Sequence, residues 1–234
     1  MQNHDIGENR GEVGLFVTRT PEGPAAAAIR IARRASILSV LYLAAVCFGC
    51  RNRPPDADDS SYVSTIAAAR QEKDTSFLDR SDSPVPKARR AEMLPLAYFP
   101  INPSYRVPAV LTPSNDQTVI TMPTSAGGQR QMKRAGTLQF TLRDQQLRLT
   151  AFVEGSRDRL FVPFTDLTSG AETYPGGRYL DLDRNVTGIY MVDFNRAYHP
   201  DCYYGDPTAD CPFPPLENRL KIPIHAGERI KEAS

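Results

Sequence analysis

A mostly β fold is expected from three features of the chain. From Leu96 onward β-forming side chains recur at period two, no stretch of helical spacing separates those runs, and twenty prolines are spread through 234 residues. Proline breaks helix interiors and sits at strand edges and turns. Closely spaced strands with no helix between them imply an antiparallel sheet rolled into a barrel or a sandwich. One or two peripheral N-terminal helices and long proline-rich C-terminal loops complete the expected architecture. At ~150 residues per domain, the length allows one domain with appendages.

The first 49 residues read as an export segment. Residues 37–49 are an uncharged apolar run preceded by Arg30, Arg33 and Arg34. A helix crossing the ~30 Å core of a bilayer takes about 20 apolar residues, so this run is too short for a stable anchor. Its length, basic flank and small residue before a cut match a secretory signal. Gly49-Cys50 resembles a bacterial lipobox, in which Cys50 is acylated and becomes the first mature residue. Cys47 and Phe48 depart from the Leu and the small residue usual there. An ordinary signal peptide or an uncleaved anchor is the plainer alternative. Residues 1–28 are longer and more acidic than a usual leading region and stay outside the fold argument. The expected division is therefore export segment 1–49, disordered polar tether 50–59 and a single β domain 60–234. That places the protein on the periplasmic side of a bacterial envelope, held to the membrane through lipid at Cys50.

Charge excludes two classes of partner. Residues 1–49 hold five of the 28 basic and four of the 27 acidic residues, leaving 23 of each sign beyond them. A neutral domain has no electrostatic reason to bind nucleic acid or an anionic membrane surface.

Ser60 or Ser61 is placed to cap a helix running to about Lys73, with Val63, Ile66, Ala67 and Arg70 at helical spacing and Phe77 pinning its end. Ser83-Pro84 opens a shorter helical turn through Arg89–Met93. Strands are expected at Tyr105–Val107, Thr118–Thr121, Thr137–Leu142, Leu147–Phe152, Arg159–Val162, Arg178–Leu182, Gly188–Phe194 and Lys221–Ile224. Arg143-Asp144-Gln145-Gln146 reads as the hairpin turn between the third and fourth of them.

Residues 161–228 are dense in groups that are costly to bury unpaired, among them Asp166, Glu172, Thr173, Arg178, Asp193, Asn195, Glu217 and Asn218. Arg178, behind Gly176-Gly177, suits bidentate capture of a carboxylate. Asp193 and Asn195, two apart on a strand, share a face. Two readings compete. In one, these groups satisfy each other and the backbone of irregular loops. In the other, they line a pocket for a small polar ligand, with Asp166, Thr173, Tyr174, Arg178, Asp193, Asn195, Tyr198, His199 and Asn218 as its contacts.

The blocks Thr173-Tyr174 with Gly177-Arg178, Asp193-Phe194-Asn195 with Tyr198, and Cys211-Pro212 with Asn218 and Leu220 resemble domain of unknown function 1684 (DUF1684). The resemblance covers roughly residues 60–230. The family has no established activity, so it implies no reaction. Its members usually carry Asn where this chain has His199, which makes any role for that imidazole peculiar to this branch.

Cys202 and Cys211 form an even pair, which in an exported protein reads as a disulfide. A metal site with His199 and Asp201 is the rival, but zinc sites favour closely spaced thiolates such as Cys-x-x-Cys; free thiols are the third option. Catalytic signatures are thin. Ser169 lacks the preceding Gly of a nucleophile elbow, Gly176-Gly177-Arg178 lacks the Lys-Ser/Thr of a phosphate loop, and a His beside Pro, as at His199, is more often structural than catalytic. No cofactor or metal is expected. The favoured reading is a non-enzymatic envelope lipoprotein that binds a small polar ligand or partner through its 164–218 loops. A hydrolase using Asp166 or Asp193 with His199, and a purely structural envelope protein, are the alternatives.

Overall fold

Alternate burial along β1 and the second half of β3 marks which side chains face inward. The strands are β1 (Arg106–Pro113), β2 (Val119–Pro123), β3 (Gln129–Leu142), β4 (Gln145–Val153), β5 (Arg159–Phe164), β6 (Arg178–Asp183) and β7 (Ile189–Asp193). A computed structural model describes residues 57–115, 118–155 and 158–232. The expected signal segment, Cys50 and the tether through residue 56 lie outside the described residues.

The strands form one antiparallel sheet in the order β6-β5-β4-β3-β1-β7, with β2 paired to β3. The sheet curls until its end strands approach. Tyr179 N donates to Tyr198 O at 2.9 Å and Tyr198 N to Tyr179 O at 3.1 Å, tying the start of β6 to the segment after β7. The result is a nearly closed barrel. Proline fits this register because Pro163 stands opposite Tyr179, whose N–H turns to Tyr198 and asks nothing of β5. Val107, Leu138, Phe140, Leu149, Leu160, Val162, Phe164 and Val192 fill the interior. A smaller cluster of Met122, Met132 and Phe152 sits apart from it, where β2 pairs with β3.

Most strand positions match expectation, with three differences of physical interest. The β3–β4 turn takes two residues, Arg143 (φ 50°) and Asp144 (φ 61°), so Gln145 pairs with Leu142 and already belongs to β4. Two positive φ values in succession are the mark of a type I′ hairpin. Second, β3 begins at Gln129, well before Thr137, because its first half pairs with β2.

Third, Lys221–Ile224 is not a strand. Ile222 and Ile224 bury their side chains in the barrel core, as their alternation suggests. The backbone of Ile224, however, bonds to side chains: its N donates to Asp166 Oδ1 at 3.2 Å and its O accepts from Arg178 Nη2 at 2.8 Å, while Ile222 O accepts from Leu167 N at 3.3 Å. The segment plugs one end of the barrel, and period two reports its burial alone.

Helix α1 (Ala57–Asp79) starts before Ser60 and runs past Lys73, so residues 57–59 are helical where tether was expected. Its docking face is polar. Ile66 is buried, while Tyr62, Arg70, Lys73 and Asp74 each reach a partner on the β domain or its flanking loops. The stripe 62/66/70/73/77 replaces the expected Val63 and Ala67, of which Ala67 is exposed. Ring contact of Phe77 with Tyr204, at 5.2 Å between centroids, holds the helix end. The short α2 (Arg90–Met93) follows a single 3-10 turn at Lys87–Arg89, later than Pro84. A second short helix, α3, spans Asp201–Tyr204. Among the described residues no helix is long and apolar enough to cross a membrane.

Candidate functional site

The residues singled out from sequence separate into four groups. The first is the Arg178–Asp166 pair, whose side chains are each 1% exposed. Gly177 places it: at φ 89° a Cβ there would lie 2.6 Å from Phe164 O and 2.7 Å from Pro214, so only glycine lets β6 enter at this point. Arg178 Nη2 donates to Asp166 Oδ2 at 2.9 Å and to Ile224 O, and Nη1 donates to Ala226 O and Glu228 O. All four terminal N–H groups are thus used inside the protein. Asp166 also accepts from Thr168 N and from Thr168 Oγ1, which in turn meets Thr173 Oγ1 at 2.9 Å. The carboxylate that Arg178 captures belongs to its own chain. Burial pulls the guanidinium below its usual range, and Asp166 opposes that shift.

The second group centres on Glu228, 2% exposed. Lys73 Nζ lies 2.6 Å from Oε1, while Tyr204 Oη and His199 N donate to Oε2. Burial alone would raise this carboxyl, but Lys73 leads the groups that bring it below the ordinary value. His199 lies beside it, fully buried. Its Nε2 faces Tyr174 N at 3.2 Å, and because a backbone N–H can only donate, Nε2 is the acceptor and the ring proton sits on Nδ1. Nδ1 has no hydrogen-bond partner and lies 3.7 Å from Glu228 Oε2. Burial drives the imidazole pKa down to about 3, so it is neutral. Its neighbours are Tyr174, Glu228 and the Tyr203 ring at 4.1 Å.

In the third group Asp193 caps the turn after β7 by accepting from Asn195 N, and it also accepts from Tyr62 Oη at 2.7 Å. Asn195 spends its carboxamide on Asn102 N and O and on Tyr62. Asn218, the fourth, bridges two strands. It accepts from Thr150 N at 2.7 Å and donates to Thr150 O at 2.8 Å and Pro163 O at 2.7 Å. β4 and β5 share a single register pair, Phe152 with Phe161, so the Asn218 side chain does the work of the missing ladder.

Tyr198 alone among the nine expected contacts opens onto a polar cleft beside the disulfide loop. This space of about 660 Å³ lies between the outer face of β5–β6 and the Pro200–Pro212 loop. A disulfide between Cys202 and Cys211 closes that loop. Phe161, Tyr179 and Tyr198 stack edge to face beneath the cleft, with centroids 4.7 Å and 5.8 Å apart. The two hydroxyls turn aside, to Pro212 O and Asp181 Oδ2. Glu154, Asp181, Asp201, Asp206 and Asp210 line the cleft against Arg130 and Arg159. Arg130 is paired with Glu154 and Arg159 with Asp183. The Asp201 carboxylate makes no hydrogen bond within the described residues; burial raises its pKa. No cluster of metal-ligating side chains is present among the described residues.

Sequence reasoning missed Glu228, Lys73, Tyr62 and this cleft. A signal for Glu228 was available: it directly follows the run from Ile222 through Gly227, which holds no acid. Lys73 and Tyr62 were hidden because a polar docking face looks like a solvated one.

The fold and site define a nearly closed antiparallel barrel whose end is plugged by a polar-bonded C-terminal segment. The chain belongs to the family described as "Protein of unknown function (DUF1684)", whose model matches residues 92–229. It is similar to an uncharacterized protein of Haloarcula marismortui of known solution NMR structure, at 35% identity and a TM-score of 0.60, covering 75% of this chain and 98% of the other. No curated protein matches the chain.

Proposed function

We propose that this is an exported, lipid-anchored envelope protein whose β domain binds a small, positively charged polar ligand in the cleft beneath the Pro200–Pro212 loop. The observation that carries the binding reading is the cleft's composition, five carboxylates against two guanidiniums over an aromatic floor. An organic cation fits both features, since carboxylates and ring faces each attract it. Asp201 is the carboxylate left to meet it. The export reading rests on the short apolar run 37–49, its arginine flank and Gly49-Cys50. The Cys202–Cys211 bridge supports it, because disulfides persist in oxidising compartments.

A thermal-shift screen of organic amines against neutral analogues of the same shape tests the cleft. Amines should raise the melting temperature saturably, and Asp201→Asn should weaken the response several-fold. Equal responses to amines and neutral analogues would sink the reading. Replacing Cys50 by Ser should move the protein from the membrane fraction to the soluble one; retention in the membrane would remove the lipid anchor. Hydrolysis by Asp166 or Asp193 with His199 gains no support from the geometry, in which Asp166 is held by Arg178 and His199 accepts from Tyr174 N.

A further inference from the structure

The geometry points to a second binding site, at the end of the barrel opposite the plug, for a small amphipathic anion with one carboxylate on a short aliphatic chain. This site is independent of the acidic cleft. The plug closes the end where β5 finishes at Phe164 and β6 starts at Arg178. Neighbouring strands run in opposite directions, so the other end gathers the last residues of β1, β4 and β6 and the first of β5 and β7. The part of β3 that carries its bulge, between Arg134 and Gly136, lies there too. A cavity of about 430 Å³ opens at this mouth, within the range of roughly 300–1,000 Å³ usual for small-molecule sites. Its floor is the last layer of the barrel core, Leu160 and Tyr190. Its walls are Leu111, Ala135 and Val153, which pack on that core while staying half-buried.

Cations stand on the same inward-facing rows, one step beyond the apolar layer. On β3, Lys133 is the register partner of Val153, and residues directly opposite on neighbouring strands share a face. On β6, Leu180 and Leu182 pack on the core and Arg184 follows two residues on, its N reaching Asp158 O so that the β5–β6 pairing extends to it. Arg134 also lines the cavity, but Glu217 holds it at 2.7 Å and it donates to Thr150. Lys133 and Arg184 are exposed and make no ion pair or side-chain hydrogen bond among the described residues, so their donors stand open to a ligand. No acidic residue lines the cavity among the described residues. Two like charges at one rim with no counter-ion between them attract an anion. Arg184 offers a carboxylate two parallel donors and Lys133 adds a point charge. An aliphatic tail then covers Leu111, Val153 and Leu160 and removes their surface from water. At about 30 Å³ per water-sized group, the space takes on the order of fourteen heavy atoms, ample for a carboxylate on roughly six carbons.

The test uses the intact protein, titrated at constant ionic strength with sodium hexanoate, sodium acetate and hexanamide, and read by ligand-observed NMR and by thermal shift. Hexanoate should bind saturably and at least tenfold tighter than either comparison compound, since hexanamide lacks the charge and acetate lacks the tail. Lys133→Gln combined with Arg184→Gln should weaken hexanoate at least tenfold. Both side chains are exposed, so the melting temperature without ligand should stay near that of the parent. Lys221→Gln removes an exposed cation beside the plugged end and should leave hexanoate binding unchanged. Equal binding of hexanoate and hexanamide would overturn the anionic assignment, and equal binding of hexanoate and acetate would overturn the apolar one. Hexanoate binding that survives the double variant, or that falls equally in Lys221→Gln, would remove the site from this mouth.

Discussion

Replacing His199 by Gln should make the protein less sensitive to acid. The imidazole is fully buried and neutral, with its pKa held at about 3 by burial against an ordinary value of 6.5. The unfolded chain therefore binds a proton between those values that the folded chain does not. Stability from this group is complete above pH 6.5 and declines as pH falls toward 3. The linkage relation puts the loss at about 2 kcal/mol at pH 5 and about 3 kcal/mol at pH 4. Gln can present an acceptor to Tyr174 N where His presents Nε2, and it does not titrate. Urea unfolding of both proteins at pH 7.5, 6, 5 and 4 supplies the measurement. The stability gap at pH 7.5 records what Gln costs in packing against Tyr203. That gap should shrink or reverse by about 2 kcal/mol at pH 5, even though other groups titrate, because they do so in both proteins. A gap that stays constant from pH 7.5 to 4 would mean that the ring is protonated at no cost, and the picture of a dry, neutral imidazole would be wrong.

Arg178→Ala should cost about 3–5 kcal/mol or prevent folding, since it leaves the buried Asp166 side chain without its partner and strips the carbonyls of Ile224, Ala226 and Glu228 of their donor; a folded variant with near-native stability by urea titration would refute that role. Reduction of Cys202–Cys211 should add two hydrogens to the intact mass and cost roughly 2–3 kcal/mol for so short a loop; an unchanged mass ends the disulfide. Lys73→Met should reverse the pH response of Glu228. With Lys73 the folded carboxyl sits below its ordinary value and gives stability above it; without Lys73 burial raises it, so the variant should lose stability as pH rises past the ordinary carboxyl range, and an unchanged pH profile would sink the idea.

The barrel was legible because its inner face obeys the rule that sequence periodicity reports. Leu138, Phe140 and Leu142 alternate with Gln139 and Thr141, and all three are buried in the core. The same rule misled at Lys221–Ile224, where burial alternates but Ile224 bonds to the side chains of Asp166 and Arg178 instead of to a neighbouring strand. Periodicity reads side-chain exposure and is blind to which atoms satisfy the backbone. Of the polar residues singled out in 161–228, Arg178, Asp166, Asn195 and Asn218 are buried and take their partners within the protein. Their partners lay far along the chain, Arg178 with Ala226 and Asn218 with Thr150, and no local pattern encodes such pairings. The cleft escaped notice for a related reason. Its carboxylates come from the residue after β4, from β6 and from the disulfide loop, and only the fold brings them to one rim.

One physical consequence joins these observations. A barrel whose end strands do not pair needs something else to hold its open side and its end, and here side chains do it. Arg178 fixes the plug through three carbonyls, Asn218 replaces the missing β4–β5 ladder, and Glu228 gathers Lys73 from α1, Tyr204 from α3 and the backbone of His199. Hydrogen bonds of this kind are directional, so they set a register that apolar packing alone would leave loose. The helix is the least committed member. It lies before the region that the family model matches, residues 92–229, and only Ile66 is fully buried in its docking face. Its hold on the barrel is a row of separate polar contacts at Tyr62, Arg70, Lys73 and Asp74, each of which an anion, a proton or a mutation can weaken on its own. A helix attached in this way responds to chemistry at its interface.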